Sequence, residues 1–297
     1  MNEIMKKLIL IFAIGVVFGV TQVFAEKLNS EWVKKDEKIL KSAVEFIQKN
    51  DFSDSEIQNF LRSGKSDGWV PETELRGFGL KKSVRNFYGG YMTLNVTYIY
   101  YDDKPCKMIF FVGEEAFGKI KASLGKKTRK DFQNLFELKT NNAGDFSYSE
   151  YRFERDFSEN YEKFAENKKS IVGEIKSISI PGEYQKYYDF LFSAESSGEY
   201  GYIGGEAAQK TTGTIALEKL LELNDKNVFL NLLKGDSPSG RMYAAEGLLT
   251  LENSQASVDA INKVFLPLIA EGVTYSTIEC CFVETGVKYE LFEYKGK

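Results

Sequence analysis

Met92-Thr93-Leu94-Asn95-Val96-Thr97-Tyr98-Ile99-Tyr100-Tyr101, the turn Asp102-Asp103-Lys104-Pro105 and the return run Cys106-Lys107-Met108-Ile109-Phe110-Phe111-Val112 decide the fold class. Apolar and polar residues alternate with period two, so Met92, Leu94, Val96, Tyr98 and Tyr100 share one face. Thr93, Asn95 and Thr97 share the other. Two alternating runs around a tight turn make an antiparallel hairpin, half-buried in a sheet. The same alternation places Cys106 on the face of Met108, Phe110 and Val112. Further strands are expected at Phe132–Leu138, Phe146–Phe157 and Ile171–Ile180, the last stopped by Pro181-Gly182. The glycine-rich stretch 63–79 reads as a loop. Upstream, Trp32, Val33, Ile39, Leu40, Ala43, Phe46 and Ile47 form a helical stripe over residues 30–49. Ser53-Asp54-Ser55-Glu56 has capping-box spacing and opens a short second helix.

Beyond Pro181 the pattern changes to helices. Tyr184–Phe192 is the first, followed by a segment holding Gly198, Gly201, Gly204 and Gly205. Four more follow, marked by Ile215, Leu217 and Leu220, by Val228, Phe229 and Leu232, by Tyr243, Ala244 and Leu248, and by Val258, Ile261, Phe265 and Leu268. Ser237-Pro238 supplies an N-cap and a first-turn proline for the third of these. Strand-like Val273–Val283 and Gly286–Tyr294 close the chain, read as a hairpin. The expected class is α+β: N-terminal helices plus an antiparallel sheet, then a mainly helical part with a C-terminal β hairpin. The expected division is a leader over 1–25, an α+β domain over 26–182 and a helical domain over 183–297.

The first 25 residues read as a secretory signal. Lys6-Lys7 precede the apolar run Leu8–Val20, and Val23-Phe24-Ala25 gives a small-residue cleavage pattern before Glu26. The apolar run is too short to span ~30 Å of hydrocarbon. Export as a soluble periplasmic or secreted protein is therefore expected after cleavage near Ala25, with no transmembrane segment left.

The 297 residues carry 39 Lys+Arg and 43 Asp+Glu, a net charge of −4, and no histidine. Without imidazole there is no Ser-His-Asp triad, no Cys-His pair and no histidine-ligated metal. Mild acidity argues against nucleic-acid binding. Cys106, Cys280 and Cys281 are an odd set in an oxidising compartment, so Cys106 pairs with one of the other two, all three stay as buried thiols, or the adjacent Cys280 and Cys281 form a strained bond. A bridge would close a loop of about 175 residues, worth up to ~5 kcal/mol in the chain-entropy model.

Gly113-Glu114-Glu115-Ala116-Phe117-Gly118-Lys119-Ile120 follows a strand with phosphate-loop spacing. Ile120 stands where a Mg²⁺-binding hydroxyl belongs, and Glu114 and Glu115 would repel a polyphosphate, so a glycine-bearing turn is expected instead. Lys119, Lys121, Lys126, Lys127, Arg129 and Lys130 make a basic run, read as a solvated face or a surface for anionic groups. Gly198, Gly201, Gly204 and Gly205 lack dinucleotide-loop spacing and read as close packing or a flexible connection. Asn95-Val96-Thr97 is a glycosylation sequon inside a strand. No calcium-loop pattern is present. Carboxylate chemistry is the one enzymatic route left, and no acidic pair stands out among so many.

Ser237-Pro238-Ser239-Gly240-Arg241-Met242-Tyr243-Ala244-Ala245-Glu246-Gly247-Leu248-Leu249 resembles a HEAT-like helix unit. With Gly201-Tyr202-Ile203-Gly204-Gly205 and Ala216-Leu217-Glu218-Lys219-Leu220, it is similar to a loose group of uncharacterised exported bacterial proteins over about a third of the chain. The resemblance implies a packing module with no activity attached. The expected role is non-enzymatic binding of an unknown protein or envelope component, with an exported carboxylate-dependent hydrolase acting on a polysaccharide or cell-wall polymer as the alternative. No catalytic, cofactor-binding or metal-ligating residue is assigned.

Overall fold

The computed structural model describes residues 28–50, 52–64, 73–143, 146–196, 198–204, 209–279 and 282–294. The leader, Gly205, Cys280 and Cys281 lie outside them. Helix α1 (Ser30–Lys49) starts at Asn29, whose side chain accepts the Glu31 and Trp32 N–H groups, and α2 (Asp54–Leu61) starts where the capping spacing puts it. The sheet follows as β1 (Glu74–Gly77), β2 (Leu80–Tyr88), β3 (Thr93–Tyr101) and β4 (Lys104–Gly113). Two helices, α3 (Glu114–Ile120) and α4 (Lys126–Leu135), lead to β5 (Glu137–Ala143) and β6 (Phe146–Asp156). The six strands pair antiparallel throughout in the order β1-β2-β3-β4-β6-β5.

Around the deciding hairpin, three expectations are corrected. The presumed loop over 63–79 contains β1. The Phe132–Leu138 strand is mostly helix: Phe132 belongs to α4, and extended chain begins only at Glu137. Ile171–Ile180 is no strand, because Ile171 and Val172 end the next helix and the chain runs irregularly to Pro181. β1 is only four residues long, and in the two helical cases few residues are buried, so the period is faint. Phe132 is the buried residue of α4, and the following helix buries only Phe164, Lys168 and Val172.

That helix is α5 (Ser158–Val172), followed by α6 (Gly182–Phe192), the short pair β7 (Ile203–Gly204) and β8 (Gln209–Lys210), and α7 (Thr212–Leu221). Then come α8 (Lys226–Leu232), α9 (Pro238–Leu251), α10 (Gln255–Glu271), β9 (Thr274–Glu279) and β10 (Phe282–Lys288). Thr211, Asp225, Ser237 and Ser254 each accept a backbone N–H at the start of α7, α8, α9 and α10, satisfying donors that a helix leaves open. The Val273–Val283 run is not one strand: β9 stops at Glu279, which pairs with Phe282 at the start of β10. The chain is thus α+β, with N-terminal helices, a six-stranded antiparallel sheet, later helices and a C-terminal β hairpin. No helix among the described residues is long and apolar enough to cross a membrane.

Each sheet face feeds its own core. Leu94, Val96, Tyr98, Met108, Phe110 and Val112 pack on α1–α4 with Leu40, Phe46, Ile57, Phe60, Phe117 and Phe132. Stacked pairs fill that layer, Phe46–Phe60 at 4.5 Å and Phe117–Phe132 at 4.6 Å between ring centres. The opposite face meets the later helices through Phe78, Leu80, Ile99 and Cys106. Cys106 reaches this second core because of a bulge. Ile99 faces Lys107 and Tyr100 faces Pro105, leaving Cys106 as the extra residue, off the Met108 face where plain alternation puts it.

Candidate functional site

The second sheet face is only partly apolar. Lys82 on β2 lies directly across from Glu74 on β1 and beside Ile99 on β3, and Arg76 follows Glu74 on the same face. Thr97 and Ile109 occupy the next row, and Glu150, Arg152 and Glu154 alternate along β6. Against this face stands a second wall: Glu195, Gly198 and Glu199 after α6, Pro238 and Ser239 at the start of α9, and parts of β9 and β10 including Tyr275 and Val283. A cleft of about 810 Å³ lies between the two walls, a size that accommodates a small organic ligand.

Arg152 organises one side of the cleft. Its Nε donates to Glu154 Oε1 at 2.6 Å, Nη1 to Glu150 Oε1 at 3.2 Å and Nη2 to Glu195 Oε2 at 2.6 Å. Lys107 pairs with Glu154 at 3.0 Å, with Asp156 at 3.5 Å, and with the other Glu195 oxygen. Burial alone would raise the Glu154 carboxyl, but hydrogen bonds from Lys139 and Lys107 and the Arg152 charge outweigh it and hold it down to about 2. Glu195 therefore fastens the helical wall to the sheet by two cations.

The other side is short of negative charge. Lys82 is 2% exposed, and its Nζ donates to the Glu195 backbone carbonyl at 3.1 Å. Burial, reinforced by the Arg76 charge, lowers its amine to about 7. Arg76 is 3% exposed; its Nη2 lies 2.8 Å from Glu74 Oε2 but out of hydrogen-bond alignment, and its Nε has no acceptor among the described residues. Arg241, fully buried behind it, donates Nε to the Gly235 carbonyl at 2.9 Å and lies over the Phe78 ring. The nearby Asp236 is already engaged by Lys168 at 2.6 Å and by the Tyr161 hydroxyl at 3.0 Å.

The motifs singled out in the sequence lie elsewhere. Gly113–Ile120 forms α3, a helix capped by Gly113 with Phe117 and Ile120 buried, where both a phosphate loop and a simple turn would need irregular chain. Lys119 is tied to Glu115 at 3.0 Å. The basic run continues into α4 on the far side of the sheet, where the Gly125 N–H and Thr128 hydroxyl bind Glu37 at 3.1 Å each. Gly201 is explained by close packing: a Cβ there would lie 2.1 Å from the Ile278 carbonyl oxygen, where β9 hydrogen-bonds Tyr200. Asn95 and Thr97 sit in the middle of the sheet, with Thr97 buried at the cleft floor. Burial pushes the Cys106 thiol up to about 11, away from reactivity. The sequence reading missed Arg76, Lys82, Arg152 and Glu195. For Arg76, Lys82 and Arg152 the signal was charge at alternating strand positions, which is also how a solvent-facing strand reads, and Glu195 lies in the turn after α6, where a charged residue carries no signal.

The fold and site define a class: an α+β chain whose sheet is covered on one side and forms a charged cleft with a helical layer on the other. No protein-family model, curated protein or solved structure matches the chain.

Proposed function

We propose that the protein is exported, soluble and non-enzymatic, and that it binds a ligand from an envelope component or partner molecule in this cleft. The observation that carries the reading is the 810 Å³ cleft itself, walled by sheet and helices together. Of the four acids that line it, Glu74, Glu150 and Glu195 are ion-paired, as is Glu154 beside them; Glu199 is the fourth. A hydrolase needs one carboxyl kept protonated opposite a base or nucleophile, whereas cation pairing favours the ionised form. The hydrolase alternative draws on one feature: Glu150 and Glu195 approach opposite ends of a single guanidinium in an open cleft. Export rests on the leader sequence, and N-terminal sequencing of secreted protein should begin at Glu26.

The test compares wild type with Thr285→Trp, a bulky residue on the exposed β10 strand at the cleft wall. Native mass spectrometry should find a co-purifying small molecule on the wild type and lose it in the variant. Incubation with cell-wall polymers and polysaccharides should give no turnover. Turnover abolished by Glu150→Gln or Glu195→Gln would replace the binding reading with the hydrolase.

A further inference from the structure

We infer that the Arg76–Lys82 end of the cleft is an oxyanion site, which takes the carboxylate or phosphate group of the ligand. The inference rests on the cleft reading and specifies its chemistry. Arg76, Lys82 and Arg241 are three buried cations in one neighbourhood. Arg76 and Lys82 line the cleft. Glu74 is the carboxylate that faces this pair directly, opposite Lys82 in register and 2.8 Å from Arg76. The other nearby carboxylates are committed: Asp236 to Lys168 and Tyr161, Glu195 to Arg152 and Lys107.

Buried cations without matching counter-charge are costly to keep, and a bound oxyanion removes that cost. The geometry suits one. The Nε and Nη2 atoms of a guanidinium share an edge with two parallel N–H bonds, the edge that grips two oxygens of a carboxylate or phosphate. On Arg76, Nε has no acceptor among the described residues, while Nη2 lies 2.8 Å from Glu74 Oε2 out of hydrogen-bond alignment, so an oxyanion gripping the whole edge takes Nε and displaces the Glu74 oxygen from Nη2. Lys82 adds a point charge from the adjacent strand. Arg241 lies behind Arg76, where its positive charge adds to the attraction without needing to touch the ligand.

Calorimetric titration of the full chain with sodium phosphate and with sodium acetate, at low ionic strength and pH 7, tests the site. At least one anion should bind with a Kd of about 1 mM or tighter, phosphate preference pointing to a phosphorylated ligand and acetate preference to a carboxylate. Arg76→Met and Lys82→Met should each weaken binding at least tenfold. Because Lys82→Met removes an undercompensated buried charge, it should melt no lower than wild type at pH 7, so its loss of binding cannot be blamed on unfolding. Binding of neither anion, or wild-type affinity in Lys82→Met, overturns the inference. If that happens while native mass spectrometry still finds a ligand displaced by Thr285→Trp, the oxyanion site falls and the cleft reading stands. If no such ligand is found either, both fall.

Discussion

Two buried charges illustrate opposite physics. Asp36 is fully buried on α1, and its carboxylate accepts from the N–H groups of Gly90 at 2.7 Å, Tyr91 at 3.1 Å and Met92 at 3.3 Å. It thereby replaces water for the connection between β2 and β3. Gly89 must be glycine here, since a Cβ would lie 1.9 Å from Asp36 Oδ1. Asp36→Ala strands those donors and should cost about 3 kcal/mol, read from urea unfolding midpoints at constant slope. Lys82 is the reverse case. Its amine titrates near 7 in the fold against 10.5 in the unfolded chain, with Arg76 and Glu74 facing it from β1 and Glu195 from the segment after α6. Between those values the unfolded state holds the extra proton, so stability rises as pH increases from 7 toward 10.5 and is lowest below 7. Lys82→Met should remove this slope. In a Tm series the variant should lie a few degrees above the protein at pH 7 and converge with it near pH 10.

The β3–β4 hairpin was legible because every local signal agreed: alternation, β-prone residues and a polar turn. Asp102 and Asp103 both adopt positive φ, 49° and 56°, the conformation of a two-residue turn whose twist matches the strands. Replacing Asp103 with Gly relieves a left-handed residue and should stabilise the fold by about 0.5–1 kcal/mol, measured by chemical unfolding. The Asp103 contact with Lys81 spans 3.7 Å at a largely exposed site, too weak to offset that gain. Strand β2 was illegible for an identifiable reason. Lys81-Lys82-Ser83-Val84-Arg85-Asn86 carries polar groups on both faces, because Ser83 and Arg85 face α2 across a small pocket while Lys82, Val84 and Asn86 line a charged cleft. The bulge at Cys106 was equally hidden, since it depends on how β3 and β4 register and not on either strand alone.

At the scale of the molecule, the sheet is a shared wall between two cores, and Glu195 is a clasp across the second interface. Glu195→Ala leaves Lys107 with Glu154 and Asp156 and leaves Arg152 with Glu150 and Glu154, so the loss should be about 1–3 kcal/mol. Hydrogen exchange should rise at least tenfold over residues 193–199 and stay unchanged in α1, which packs on the opposite face. The same network is expected to resist acid. The Glu154 carboxyl sits near 2 in the fold against 4.5 unfolded, so its contribution is complete above 4.5 and disappears as pH falls through 2. The sequence by itself determined the α+β class, the Ser237 cap of α9 and the absence of imidazole chemistry, because periodicity, caps and composition need no tertiary contact. The candidate site came only from the tertiary structure. Arg76, Lys82, Arg152 and Glu195 belong to four segments, and their burial and pairing exist only once the helical layer closes over the sheet. A strand that alternates charged and apolar residues faces water or a partner layer with equal propriety, and only long-range packing chooses between them.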